Sequence, residues 1–350
     1  MDFAVLGCSL DPLDAEEKVA MKLAYLNAQR EGILGDGVAR DPYDLLVGPL
    51  SALEGVTVAG RMEIESWLTP RPAATEAEKV EPGHYREFID TGGCAVVSAR
   101  LREFVKARVL PPRPMLVGVD HSLTGGVLEA LRSGGVEPGL VVVDSHLDAL
   151  PVSVRKAASG QAEGAEEVNG EEPPESYNCG TWLASAIERG LVDPERVAVL
   201  GPSDHPGRER VEGEKDGVAA YREAYLAIEE MGVLVMPKRR LREEGLEMSA
   251  ADALARMDGG PVYISIDADI GSGEEVKAVR FFDTIGLAFP EVVGLARALG
   301  GAIATAGLEI AGLDVMEIDV HLADIPGSGD RTVEMCEAVV EEIIDAGRRI

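Results

Sequence analysis

The 350-residue chain is poor in aromatic residues, which make up 4% of it, and poor in basic ones, with 33 Lys and Arg against 62 Asp and Glu. The resulting formal charge of -29 excludes binding to nucleic acid or to an anionic membrane through the general surface. Such a surface can steer a cationic substrate, and it also serves solubility at high intracellular salt or temperature. The four cysteines, Cys8, Cys94, Cys179 and Cys336, are scattered and form no CxxC pair, which excludes a disulfide framework and a zinc knuckle. No apolar run reaches the roughly 18 residues that a bilayer span requires, so no membrane association is expected. The opening Met1-Asp2-Phe3-Ala4-Val5-Leu6 lacks a basic stretch and reads as a first strand rather than a signal peptide. A cytoplasmic protein is expected.

What the chain does have is a regular alternation of short apolar runs and longer helical patterns. Phe3–Gly7, Met115–Val119, Leu140–Val143, Val197–Leu200, Val233–Met236, Val262–Ile266 and Ile310–Val315 read as strands, and Thr57–Ala59 as a weak one. Helical spacing is predicted over Ala15–Arg30, Cys94–Leu110, Gly125–Arg132, Trp182–Arg189, Val218–Met231, Ala250–Met257, Glu291–Leu299 and Val333–Ala346. This β-α order predicts a mostly parallel sheet with helices on both faces. No linker or internal repeat divides residues 1–350, so one domain is expected. Residues 157–176 are rich in Gly, Ala, Glu and Pro and read as a mobile acidic insert, either a solvated loop or a lid. Pro70–Pro82 is a second irregular stretch.

Three polar clusters follow strands, where open α/β sheets bind ligands. They are Gly118-Val119-Asp120-His121-Ser122, Asp144-Ser145-His146-Leu147-Asp148 and Asp267-Ala268-Asp269. Period-two alternation would send Asp144, His146 and Asp148 to one side of an extended segment. Charged groups gathered at a strand end cost several kcal/mol unless paired or bound to metal. A lone histidine at position 121 would more often be structural, and the Asp267/Asp269 pair alone is equally readable as solvated turn acids. Together, His121, Asp144, His146, Asp148, Asp267 and Asp269 offer four carboxylates and two imidazoles. That set suits divalent ions such as manganese better than thiolate-selected zinc. Six side chains with bridging carboxylates can hold two ions, which lower the pKa of a shared water.

In this order the clusters resemble motifs of the ureohydrolases, the family of arginase, agmatinase, formimidoylglutamase and guanidino-acid hydrolases. The family's Gly-Gly-Asp-His-Ser, Asp-Ala-His-x-Asp and Ser-Phe-Asp-x-Asp stand here as Gly118–Ser122, Asp144–Asp148 and Ser265–Asp269. A fourth stretch, Gly312-Leu313-Asp314-Val315-Met316-Glu317-Ile318, is similar to the family's Gly-Leu-Asp-Ile-Met-Glu-Val. The resemblance runs from about Met115 to the C-terminus. It implies one three-layer α/β/α domain with a parallel sheet of about eight strands, two Mn2+ ions and a homo-oligomer, trimer or hexamer. Asp144 and Asp267 would bridge the ions, His121 and Asp148 would complete one, and His146 and Asp269 the other. Asp148 would also accept a hydrogen bond from the bridging hydroxide. Glu317 would bind a small cationic guanidino or amidino substrate.

Around this centre the chain departs from the family. Asn178-Cys179-Gly180-Thr181 stands where the family has a proton-shuttling His-Gly pair, so Cys179 takes the position of that histidine. A thiol there can relay a proton, act as a nucleophile or fill space. His321, after Asp319-Val320, is the other candidate for the missing imidazole. The family's Asp-Pro after the third motif is replaced near Gly271-Ser272-Gly273. The expected activity is metal-dependent hydrolysis of a linear amidine or guanidino C–N bond, agmatinase- or arginase-like. The alternatives are hydrolysis of a formamide or other amide by the same metal pair, and a metal-binding relative without catalysis.

Overall fold

A computed structural model describes residues 2–34, 37–151, 153–154, 158, 177–209, 213–271, 273–283, 285–323, 325 and 327–348. The acidic segment 157–176 lies, apart from Ala158, outside the described residues. The strands are β1 (Phe3–Cys8), β2 (Val56–Arg61), β3 (Arg113–Gly118), β4 (Gly139–Val143), β5 (Val197–Leu200), β6 (Leu234–Met236), β7 (Val262–Asp267) and β8 (Ile310–Met316). They form one eight-stranded sheet in the order β2-β1-β3-β8-β7-β4-β5-β6. Every ladder in it is parallel. The expected parallel α/β architecture is therefore present, with all eight expected strands.

Burial explains which strands were easy to read. The central strands β3, β4, β7 and β8 are covered on both faces and almost wholly buried, which is why they are continuous apolar runs. The edge strand β2 is half exposed, and its sequence signal is correspondingly faint. Alternate side chains feed two hydrophobic layers. One packs the sheet against helices Pro42–Ala52, Leu246–Ala255, Phe289–Ala306 and Thr332–Gly347. The other packs it against Glu16–Arg30, Gly93–Arg108, Leu123–Ser133, Trp182–Glu188 and Asp216–Glu230.

Among the described residues, four α-helices have no counterpart among the expected ones: Pro42–Ala52, Pro82–Asp90, Lys238–Glu244 and the single turn Val320–Ala323. Two of them begin with proline, which a first turn accepts because its N–H would be unpaired there anyway. In the first, Asp41 caps the start by accepting from the Asp44 N–H at 3.2 Å. Pro70–Pro82 is irregular as expected, holding only a short 3-10 segment at Ala74–Lys79. None of the four cysteines is paired, and no helix among the described residues is long and apolar enough to cross a membrane.

The sheet order decides where the motifs meet. The three clusters and Glu317 follow β3, β4, β7 and β8, which are consecutive in the order β3-β8-β7-β4. Their carboxyl ends therefore open side by side at the middle of one sheet edge.

Two adjacent glycines test the packing of the last two long helices. A Cβ on Gly300 would stand 2.6 Å from the Cβ of Ala346 and 3.0 Å from the backbone oxygen of Glu342, whereas one on the exposed Gly301 would meet nothing within 4 Å. Gly300→Ala should destabilise the fold by about 1–3 kcal/mol through overpacking, and Gly301→Ala should stabilise it by about 0.5–1 kcal/mol through helix propensity. Denaturant melts of the two variants check the opposite signs.

Candidate metal centre

Each strand end delivers its side chains by a short turn. After β3, Asp120 Oδ1 accepts from the Ser122 N–H at 3.1 Å, and the chain enters helix Leu123–Ser133 just past His121. After β4, Asp144 Oδ1 accepts from the His146 N–H at 2.7 Å, and Asp148 adopts a left-handed φ of 52°. Asp144, His146 and Asp148 thus converge through a capped turn, not through the extended pleat that alternation suggested. After β7, Asp267 Oδ1 accepts from the Asp269 N–H at 2.8 Å and starts a 3-10 turn. After β8, Glu317 has a φ of 64°. Two non-glycine residues in the left-handed region at one site are backbone strain held in place by the surrounding contacts.

The six expected ligands come together as two groups that share Asp144. In the first, His121, Asp144, Asp148 and Asp267 place their ligand atoms within 4.8 Å of one another; in the second, Asp144, His146 and Asp269 do the same. His121 Nδ1 lies 3.2 Å from Asp144 Oδ2, 3.0 Å from Asp148 Oδ2 and 3.1 Å from Asp267 Oδ2. His146 Nδ1 lies 3.0 Å from Asp269 Oδ2 and 3.6 Å from Asp144 Oδ1. Asp144 therefore turns one oxygen to each group, whereas Asp267 joins only the first. The His121 side chain is fully buried, while that of His146 is 39% exposed.

These atoms fit a cation. His121 Nδ1, Asp144 Oδ2 and Asp269 Oδ2 are buried and make no directed hydrogen bond among the described residues. Buried lone pairs converging without donors are costly unless a positive ion sits among them. The rest of the His121 ring is already committed. Ser265 Oγ donates to Asp314 Oδ1 at 2.6 Å, so His121 Nε2, 2.8 Å from that hydroxyl, must be the donor to it. That leaves Nδ1 to the cluster. Asp314 is held in turn by Thr124 Oγ1 and Tyr263 OH, each at 2.8 Å. Trp182 donates from Nε1 to Asp148 Oδ2 at 3.1 Å, and its ring lies 4.9 Å from that of His121.

Without a cation, the site carries strong proton bias. Burial alone would depress His121, but its contacts to Asp144, Asp148 and Asp267 hold it well above the ordinary histidine range. His146 is likewise raised against burial by Asp269 and Asp144. Burial opposes ionisation of Asp144, yet the two imidazoles pull it well below the usual carboxylate range. Burial and neighbouring carboxylates push Asp148 and Asp267 up.

The expected substrate-facing residues form a separate cluster. Cys179, Asp120 and Glu317 place their ligand atoms within 4.8 Å of one another. Burial, then the negative charges of Asp120 and Glu317, raise the Cys179 thiol well above its usual range. Burial therefore favours the protonated thiol over the thiolate. Burial pushes Glu317 up to about 8 against the downward pull of Arg280. Glu317 Oε1 accepts from the His121 N–H at 3.0 Å, and Arg280 Nη1 lies 2.8 and 2.9 Å from its two oxygens. His321 is engaged elsewhere: its Nε2 meets the Pro70 carbonyl at 2.8 Å and its ring stands edge-on to Tyr25. Arg280, Ser265, Asp314 and Trp182 were not among the expected site residues. Asp314 lay within a matched motif, but nothing in the sequence marked Arg280.

Comparison with known proteins identifies relatives of the chain. The family described as the Arginase family matches residues 59–345. The chain is 27% identical over 217 residues to the mitochondrial agmatinase of Gallus gallus, an alignment covering 61% of this chain and 52% of that protein. The chain thus spans about half the length of the curated relatives it matches. Its fold is similar to proclavaminate amidino hydrolase from Streptomyces clavuligerus, with a TM-score of 0.60 and 19% identity over 99% of this chain and 92% of that one. It is also similar to a formiminoglutamase variant from Trypanosoma cruzi solved with Mn2+, with a TM-score of 0.57, 15% identity and coverage of 99% and 93%.

Two outcomes follow for metal titrations. A divalent ion needs the imidazole lone pairs, so its binding should release protons from His121 and His146 and strengthen as pH rises. Calorimetry in buffers of different ionisation enthalpy measures that release. The sign for the metal-free fold is opposite. The stability supplied by the protonated imidazoles is complete below the ordinary histidine range and is lost as pH climbs through their raised values. Ser265→Ala, which removes the anchor of His121 Nε2, should weaken metal affinity by about 10–100-fold in chelator competition.

Proposed function

Because the chain belongs to the arginase family, we propose that it is a binuclear metal-dependent hydrolase of a C–N bond at a linear amidine or guanidino carbon. The observation that carries this reading is the pair of ligand groups sharing Asp144. His121, Asp144, Asp148 and Asp267 would hold one divalent ion, and Asp144, His146 and Asp269 the other. Manganese suits the oxygen-rich set and accompanies a structural relative. When bound, the pair supplies an activated water and Lewis-acid stabilisation of charge at the attacked carbon.

The chain's own residues supply positioning and proton transfer. Asp148, with Oδ2 fixed by the Trp182 indole and its acidity weakened by burial, is suited to accept a proton and return it to the leaving nitrogen. Cys179, a very weak acid here, is poorly matched to that task. Glu317 is the acceptor for a cationic planar group. The reading treats residues 1–350 as one domain and the protein as a cytoplasmic homo-oligomer, trimer or hexamer.

A second reading keeps the metals and changes the bond. With the Arg280 guanidinium on Glu317, an uncharged formamide or amide would not have to displace a cation from that carboxylate. The protein loaded with Mn2+ and assayed on guanidines, amidines and formylated amines separates the readings. Release of urea or ammonia from the first two classes supports the first, and turnover of formylated amines alone supports the second. Asp148→Asn should lower kcat by about 10²–10⁴-fold. Two bound ions per chain with no turnover on any of these substrates would sink both readings in favour of a metal-binding relative without catalysis.

A further inference from the structure

The segment between β7 and helix Phe289–Ala306 sends a guanidinium into the site from within the chain. Arg280 is buried, and its backbone N–H donates to the Glu317 carbonyl at 2.9 Å. One residue earlier, Val279 bridges Ile318, so the loop is pinned beside the end of β8. From there Nη1 reaches both Glu317 oxygens, Asp120 Oδ2 at 3.3 Å and the Val119 carbonyl at 3.3 Å. Nε lies 3.2 Å from Asp11 Oδ1, and Asp11 in turn is paired with the buried Lys22 at 3.0 Å.

The fit is incomplete in a telling way. An arginine selected to lock a carboxylate presents two nitrogens side by side in a bidentate fork. Here a single nitrogen, Nη1, is offered to four acceptors, while Nη2 is buried and has no hydrogen-bond partner among the described residues. Lys22 contacts Asp11, and Arg280 is the cation that meets Glu317 and Asp120. Removing that side chain leaves a planar, guanidinium-sized space bordered by two carboxylates and by the Cys179 thiol.

We propose that Arg280 is a built-in occupant of the cation seat at Glu317, so that a small external guanidinium enters only where this side chain is absent or withdrawn. The proposal rests on reading Glu317 as the seat for a cationic group. It makes Arg280 a specificity-determining residue: a cationic guanidino or amidino substrate must displace its side chain from Glu317, whereas an uncharged group need not.

Binding of methylguanidinium chloride to the metal-loaded protein tests this without any turnover, by calorimetry and by thermal shift, with methylammonium chloride as the control for general salt effects. The wild type should bind methylguanidinium only weakly, because Arg280 competes for Glu317. Arg280→Ala should melt lower, recover saturably with methylguanidinium but not methylammonium, and bind it at least about tenfold more tightly than the wild type. Adding Glu317→Gln to that variant should abolish the binding. Arg280→Gln keeps a polar side chain while removing the charge, and serves the same purpose should the alanine variant fail to fold. Equal binding by the wild type and the Arg280 variants overturns the proposal, as does absence of binding by both variants. Methylguanidinium captured by the Arg280 variants while the wild type turns over no guanidine, amidine or formylated amine leaves the proposal standing and counts against the hydrolase reading alone.

Discussion

Buried carboxylates crowd the carboxyl ends of β3, β8, β7 and β4, and the rest of the structure depends on how that charge is held. Four aspartates of the ligand set, together with Asp120, Asp314 and Glu317, are almost or wholly removed from solvent in one region. A region of this kind collapses electrostatically unless each oxygen finds a donor or a cation. The protein meets the demand in three ways. Hydroxyls of Thr124, Tyr263 and Ser265 satisfy Asp314. Backbone N–H groups satisfy one oxygen each of Asp144 and Asp267. Arg280 neutralises Glu317 and Asp120. What remains undischarged is the set of lone pairs around His121 Nδ1 and Asp269 Oδ2, which is where a metal pair fits.

Much of this was legible in the sequence because the relevant signals are local. Strand β4 is a run of apolar residues buried on both faces, and the polar residues begin at the point where the sheet ends. A side chain of the wrong type next to such a run stands out. The same logic explains the weak reading of β2, whose half-exposed residues carry no contrast. Helix Pro42–Ala52 was hidden because proline looks like a breaker unless Asp41 is seen capping the turn. The convergence of Asp144, His146 and Asp148 was anticipated for the wrong reason: a capped turn and a left-handed Asp148 do what simple alternation cannot.

The outer part of the site was illegible for a different reason. Arg280 belongs to no periodic pattern, and its partners Asp11, Asp120 and Glu317 are distant in sequence. Only the folded loop, pinned by the bridge between Val279 and Ile318, brings them together. Ser265 and Asp314 lie within matched motifs, but their contact emerges only when β7 and β8 are paired in register. His321 shows the converse. Proximity in sequence to Glu317 suggested a role beside it, yet its imidazole turns to the Pro70 carbonyl.

The two ligand groups differ in burial, with His121 sealed beneath Trp182 and His146 facing outward beside Phe281. An ion in the inner group would be hemmed in by side chains that must part before it leaves. One in the outer group would need only the rotation of a half-exposed imidazole. The two positions would therefore fill and empty on different timescales. Different metals supplied in sequence could then be sorted between the two.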